Sequence, residues 1–245
     1  MKHISVTRSR VAGFTLVEMA IVLAIVALIL GASLTLLSAQ QDQRRIEDTR
    51  ALLSDAQEAL IGFALSHSAA DLRPYLACPD KTIAAGEGAA NDGQEDRTAA
   101  TGACITQEGN LPWVTLGLTP QTDPWSNRLR YRVTDIFSNS HTGMLLTSNG
   151  DLNVRDAVAG NLLATAVPAV ILSHGKNGLG AINAAGIGNP APPGADELGN
   201  TDISTTFVSH TLAPAGAAGG EFDDQVVWLS PDILFNRMVQ AGKLP

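Results

Sequence analysis

Between Phe14 and Leu37 the chain is an almost unbroken apolar run in which Thr15, Glu18, Ser33 and Thr35 are the polar exceptions. Nothing else in the sequence restricts the fold as strongly. At about 1.5 Å per residue this stretch makes a helix of roughly 36 Å, enough to cross a hydrocarbon layer of about 30 Å with some tilt. A secretory signal places basic residues first, a short apolar region next, and a small-residue cleavage site after it. Here the order differs. Lys2, Arg8 and Arg10 lead to Gly13, and the apolar sequence begins only beyond that glycine. Cutting after Gly13 would therefore leave the membrane segment on the mature chain. The basic leader is expected in the cytoplasm and everything after Ser38 on the exported side. Glu18 stands out because a carboxylate inside a membrane helix costs several kcal/mol on most scales and so has a partner or a function by default. The alternative is an acid near enough to the cytoplasmic edge to snorkel.

The segment Gly13-Phe14-Thr15-Leu16-Val17-Glu18, with basic residues before it and an apolar helix after it, resembles the class III leader of type IV pilins and pseudopilins. The resemblance implies cleavage after Gly13 by a membrane prepilin peptidase and methylation of the new N-terminus, Phe14. It also implies that Glu18 neutralises the Phe14 amine of a neighbouring subunit as helices pack in a filament. The likeness is close over residues 8–37 and weaker beyond.

Composition narrows the rest. A chain of 245 residues has room for this helix and one exported domain of ordinary size, or two small ones. Aromatic residues make up only 4%, so the core is expected to be aliphatic. The formal net charge is −8, and losing the leader would remove three basic side chains and no acid. Such acidity argues against general nucleic-acid binding. The two cysteines, Cys78 and Cys104, fall on the exported side, where an oxidising compartment favours a bridge over two free thiols. Their spacing is unlike a zinc or haem motif.

No proline occurs between Phe14 and Arg73, and the helix is expected to continue to about Ser66. Ile46, Leu53, Ala56, Leu60 and Phe63 fall on one stripe, with Arg45, Asp48, Asp55 and Glu58 largely off it. Many pilins carry a proline in the membrane half; here Gly31, beside Ala32 and Ser33, is the only weak point. The stretch from Lys81 to Gly102 is poor in large apolar residues and reads as a surface loop closed by the cysteines. Leu129, Tyr131 and Val133 alternate with Arg128, Arg130 and Arg132, the pattern of a half-buried strand. The arginines read either as a phosphate-binding stripe or, in preference, as a charged face that blocks edge pairing. Asp123-Pro124-Trp125-Ser126-Asn127 resembles the D-P-W-G-N turn of type II secretion major pseudopilins, with Ser126 in the glycine position, and is expected to seat Trp125 in the core.

Asn149-Gly150, between Met144–Ser148 and Leu152–Arg155, predicts a hairpin. Val167–Leu172, Thr205–Ser209 and Gln225–Leu229 read as further strands. A helix follows, with Ser230 as cap, Pro231 in the first turn, Ile233, Leu234, Met238 and Ala241 on its apolar face, and Gly242 as its stop. Ser173 to Gly180 satisfies neither a dinucleotide loop, because Asn183 stands where the third glycine belongs, nor a nucleophile elbow, because Ile171 precedes Ser173 where glycine is needed. In the resemblance, a serine- and glycine-rich loop of this kind joins nearby aspartates to hold calcium, here with Asn200, Asp202, Asp223 and Asp224. Oxygen ligands of these types suit a hard cation, although such loops also hold together without one. No other cofactor is expected.

The expected fold is α+β: residues 1–13 a cleaved leader, 14–37 the membrane half of a long helix, 38–66 its exported amphipathic half, and 67–245 a globular domain with an antiparallel sheet, a 78–104 disulfide loop and a short C-terminal helix. The expected role is structural. The chain would be a minor pilin or minor pseudopilin, since it is large beside major pilins. It would sit in the inner membrane as a single-pass protein and meet other pilin subunits and the assembly platform. The competing reading is a membrane-anchored periplasmic enzyme or ligand-binding module. The five histidines, His3, His67, His141, His174 and His210, lack ligand spacing and lend that reading no support.

Overall fold

The computed structural model describes residues 13, 15–119 and 121–245; side chains at 30 and 32–37 fall outside the description, as do the leader, Phe14 and Pro120. The described chain forms two compact units, one reaching to Arg44 and one from Arg45 to Pro245. Helix α1, Leu16–Ser66, contributes to both, and its run of 51 residues ends where the sequence expectation placed it.

In the second unit, the predicted stripe is the packed one. Leu53, Ala56 and Leu60 are fully buried and Phe63 nearly so, while Ile46 is only half-buried. They face a four-stranded antiparallel sheet in the order β1 (Glu108–Asn110), β2 (Arg130–Val133), β5 (Ala169–Ser173), β7 (Gln225–Trp228). Leu129, Tyr131, Val133 and Ile171 point into the same core, together with Leu234 and Met238 of α4 (Pro231–Gln240). Each fully buried leucine contributes about 1.5–3 kcal/mol through apolar area removed from water. The Tyr131 hydroxyl, buried with them, donates to Ala77 O at 3.0 Å, so the ring is buried without leaving a polar atom unpaired.

A second sheet, β4 (Leu162–Val167), β3 (Leu152–Arg155), β6 (Thr206–Val208), covers part of the first sheet's other face. Leu152, Val154, Val167 and Phe207 from it meet Val170 and Leu172 of β5. β5 is buried on both faces for this reason, and its sequence Ala-Val-Ile-Leu is correspondingly apolar without alternation. The fold is α+β, with one departure from an all-antiparallel arrangement: β3 and β6 pair in parallel. Short helices α2 (Asp135–Ser138) and α3 (Ala195–Leu198) lie in connections.

Four local expectations change. Asn149-Gly150 does not turn a hairpin, because Gly150 lies so close to Val167 that an added Cβ would sit 2.2 Å from its carbonyl oxygen; β3 pairs instead with β4 across the turn of 156–161. The arginine strand is not an edge, because β2 is flanked by β1 and β5. Trp125 is half-buried and belongs to neither core cluster. Ser230 makes no side-chain cap bond, and Ile233 at 57% exposure and Ala241 lie outside the buried face of α4. Gly242 does stop that helix, in a left-handed conformation with Lys243 N–H donating to Met238 O at 2.9 Å.

Cys78 and Cys104 are joined, 26 residues apart. The loop they close is exposed over 83–89 but rooted in buried polar groups. Lys81, 3% exposed, donates from Nζ to the carbonyls of Ala85, Glu87 and Gly88. Asp80, fully buried, accepts from Gly93 N–H at 3.0 Å. A segment too poor in apolar residues to build a core is thus ordered by a hydrogen-bonded one.

Candidate functional site

Two regions hold the residues singled out by sequence. In the N-terminal unit, Gly13 is exposed and an added Cβ would meet nothing within 4 Å. Phe14 lies outside the described residues. Thr15 and Glu18 form a reciprocal cap at the start of α1. The Glu18 carboxylate accepts from Thr15 N–H at 2.8 Å and from its hydroxyl at 2.9 Å, while Glu18 N–H donates to Thr15 Oγ1 at 3.2 Å. This is a capping box, with Thr at the cap position and Glu three residues on, satisfying donors that a helix start otherwise leaves open. The pattern T-x-x-E at Thr15–Glu18 is the sequence signal for this cap. The apolar side chains that follow are open to the surroundings, among them Leu16 at 91%, Leu23 at 63% and Leu28 at 76% exposure. Among the described residues no helix is long and apolar enough to cross a membrane; the side chains at 30 and 32–37, which continue the apolar run, lie outside that search.

In the second unit an acidic cluster forms where β7 begins. Glu197, Asp223 and Asp224 each offer an oxygen within 4.8 Å of the others. Two of the three aspartates expected there are present. Asp202 is not; it is exposed on the loop before β6, and its carbonyl accepts from Arg130. Glu197 takes its place, presented by α3 and 1% exposed. Sequence reasoning missed it because α3 sits inside a Pro/Gly-rich connection that read as featureless. Burial pushes the Asp223 carboxyl up to about 7, against the Asn177 N–H bond that favours its charged form, and Glu197 and Asp224 add to the rise. Glu197 is raised by burial as well. Oδ1 of Asp223 and Oδ1 of Asp224 are buried without hydrogen bonds, and His174, 1% exposed, has neither ring nitrogen bonded; its Nδ1 lies 3.5 Å from Asp224 Oδ1. Asn200 holds the other Asp224 oxygen at 2.8 Å.

The serine- and glycine-rich loop braces this cluster. Gly175 is left-handed, and any Cβ there would fall 2.3 Å from Asp223, so both its conformation and its close approach call for glycine. Ser173 is fully buried and donates to Asp123 Oδ2 at 2.6 Å, which removes it as an exposed nucleophile. Asp123 organises its own turn, accepting from Trp125 and Asn127 N–H at 3.0 and 2.9 Å. The described histidines occupy separate settings: His67 stacks on Phe63, His210 on Phe222, and His141 packs by Gly102. His3 lies outside the described residues. Two orphaned carboxylate oxygens, on Asp223 and Asp224, beside the buried Glu197 fit a hard cation by donor type, and Glu197, Asp223 and Asp224 are the residues that would hold it.

No curated protein and no solved structure matches the chain. Residues 8–34 match the family model described as the prokaryotic N-terminal methylation motif. That segment is the part of the chain that is similar to type IV pilins and pseudopilins, and the match supports a likeness to prepilin-type subunits there.

Proposed function

We infer that the chain is cut after Gly13 by a prepilin peptidase, methylated at Phe14, and incorporated as a minor pilin or minor pseudopilin into a type IV pilus or a type II secretion pseudopilus. Before assembly it would sit in the inner membrane as a single-pass protein with its C-terminal domain in the periplasm, in contact with the assembly platform. The observation that carries this reading is the start of α1: a motif glycine, a capped carboxylate, and an exposed apolar helix surface directly behind them. An apolar surface of that extent needs lipid or neighbouring helices around it. The bridge between Cys78 and Cys104 supports export to an oxidising compartment. Replacing Glu18 by Ala tests the assembly role. Membrane extraction should be unchanged and recovery of the chain in sheared filaments strongly reduced; undiminished recovery would sink the role assigned to Glu18.

The orphaned carboxylate oxygens favour a second, separate property, binding of calcium by Glu197, Asp223 and Asp224. Titration of calcium chloride into the chain should give saturable heat that the double variant Glu197→Gln, Asp223→Asn abolishes. Absence of heat with the unmodified chain removes the site.

A further inference from the structure

The second sheet leaves the β1 and β2 end of the first sheet's outer face uncovered. A cleft of about 510 Å³ lies there, inside the 300–1,000 Å³ range of small-ligand sites. Its floor is made by the outward residues of β2 with Glu108 opposite them, and aliphatic side chains line its walls: Ile83 from the disulfide loop, Ile182, and Ile203 from the loop before β6. Ile83 and Ile203 are 74% and 86% exposed and stand beside the arginines of the floor.

The electrostatics of the floor are unbalanced. Arg130 and Arg132 share one carboxylate: Glu108 Oε1 accepts from Arg130 Nε at 2.7 Å, and Oε2 accepts from Arg132 Nη1 at 2.7 Å. Register explains it, since Glu108 is the cross-strand partner of Arg132 and Arg130 lies two residues along on the same face. Two guanidiniums, 18% and 12% exposed, therefore face one anion that is 5% exposed. Arg132 Nε is buried with no hydrogen bond. Arg128, also lining the cleft, is a different case: its donors go to the carbonyls of Asn91, Asn183 and Ala184, it stacks on Trp113 at 4.5 Å, and Asp80 lies 3.9 Å away. It is committed to the fold. Arg130 also spends one nitrogen on Thr201 O, which ties the loop bearing Ile203 to the floor. What the cleft lacks is a second oxyanion beside Arg130 and Arg132, with an apolar group attached to lie against the isoleucines.

We propose that this cleft binds a carboxylate attached to an aliphatic group, with Arg132 and Arg130 receiving the carboxylate and Ile83, Ile182 and Ile203 receiving the apolar part. The residues that receive the ligand are separate from the Gly13–Glu18 motif, while His174 in the cleft wall borders the acidic cluster through Asp224 at 3.5 Å. The same chemistry is offered by a free short-chain acid and by the C-terminal end of a peptide with apolar final residues. Two probes separate these sources: butyrate, and acetyl-alanyl-valine with its carboxylate free, the latter compared with its amide.

The test is calorimetric titration of each probe into the full chain in lipid nanodiscs. Saturable binding of the free-carboxylate peptide, at least about tenfold tighter than its amide, identifies a peptide end; butyrate binding as tightly as the peptide identifies a free acid. Arg132→Gln should abolish either. Because that change also leaves Glu108 Oε2 without its Arg132 bond, Ile203→Asp serves as the second variant: it sits on the exposed rim, leaves folding intact, and places a like charge at the mouth, so it should weaken binding by about tenfold or more. No saturable binding of any carboxylate up to ~10 mM, equal binding of peptide and amide, or unchanged affinity in Ile203→Asp each overturns the proposal.

Discussion

Glu18 has a partner inside its own helix. Thr15 and Glu18 satisfy each other, so the acid stabilises the helix start before any neighbour arrives. Capping and assembly can be separated by mutation. Thr15→Ala should cost about 0.5–2 kcal/mol of local helix stability, seen as faster amide exchange over the first turn, yet leave filament recovery near normal. Equal loss of recovery in Thr15→Ala and Glu18→Ala would mean that the cap alone explains Glu18. Ser126 poses a smaller problem of the same scale. It stands at φ 68 in the Asp123 turn, exposed, where the resembling turn has glycine. Ser126→Gly should raise stability by about 0.5–1 kcal/mol, the left-handed penalty less the added chain entropy, measured as a higher thermal midpoint. Asp80 gives a pH signature. Its carboxyl is pushed from the ordinary 3.8 up to about 6, first by burial and then by Asp92 and Asp96, against its bonds from Gly93 and Asn110. The folded state holds this proton more tightly than the unfolded one. The contribution is therefore fully present below about 3.8 and lost as pH rises through about 6. In urea unfolding, the stability of the unmodified chain minus that of Asp80→Asn should fall between pH 4 and 6; a difference that rises over that window contradicts the assignment.

At the scale of elements, the periodic segments were the legible ones. The stripe Leu53, Ala56, Leu60, Phe63 and the alternation Leu129, Tyr131, Val133 state which face is buried, and burial follows them. Leu60→Ala should accordingly cost about 2–5 kcal/mol in denaturant unfolding, with no change in N-terminal processing. What periodicity does not carry is the partner of each strand. Asn149-Gly150 has the local chemistry of a hairpin, but Met144 and Ser148 are claimed by a turn in which Leu145 N–H donates to Ser148 Oγ, and β3 finds β4 and β6 instead. The outward arginines looked like edge protection for the same reason. Only the pairing of β2 with both β1 and β5 reveals that Arg130 and Arg132 meet Glu108. The disulfide loop was legible at its ends and not in its middle, because burial of Lys81 and Asp96 runs against composition. Reducing the Cys78–Cys104 bridge, which closes 26 residues, should destabilise the domain by about 3–4 kcal/mol, read from unfolding with and without reductant.

For the whole molecule, functional information is concentrated at one end. A short motif, residues 8–34, supports prepilin-type processing, while the remaining residues form an α+β domain whose cleft and acidic cluster no comparison explains. Two of the three residues of that cluster were readable, since Asp223 and Asp224 are adjacent in sequence. Glu197 was not, because its approach depends on how a proline-rich connection folds back onto β7. The central claim is that this chain is a substrate of processing and a unit of assembly. The most direct measurement is the intact mass of the protein from cells with an active prepilin peptidase, set beside cells lacking it. With the peptidase, the chain should begin at Phe14 and carry one added methyl group; without it, the leader should remain. A chain whose leader is intact in both, or removed at a site other than Gly13, contradicts the account.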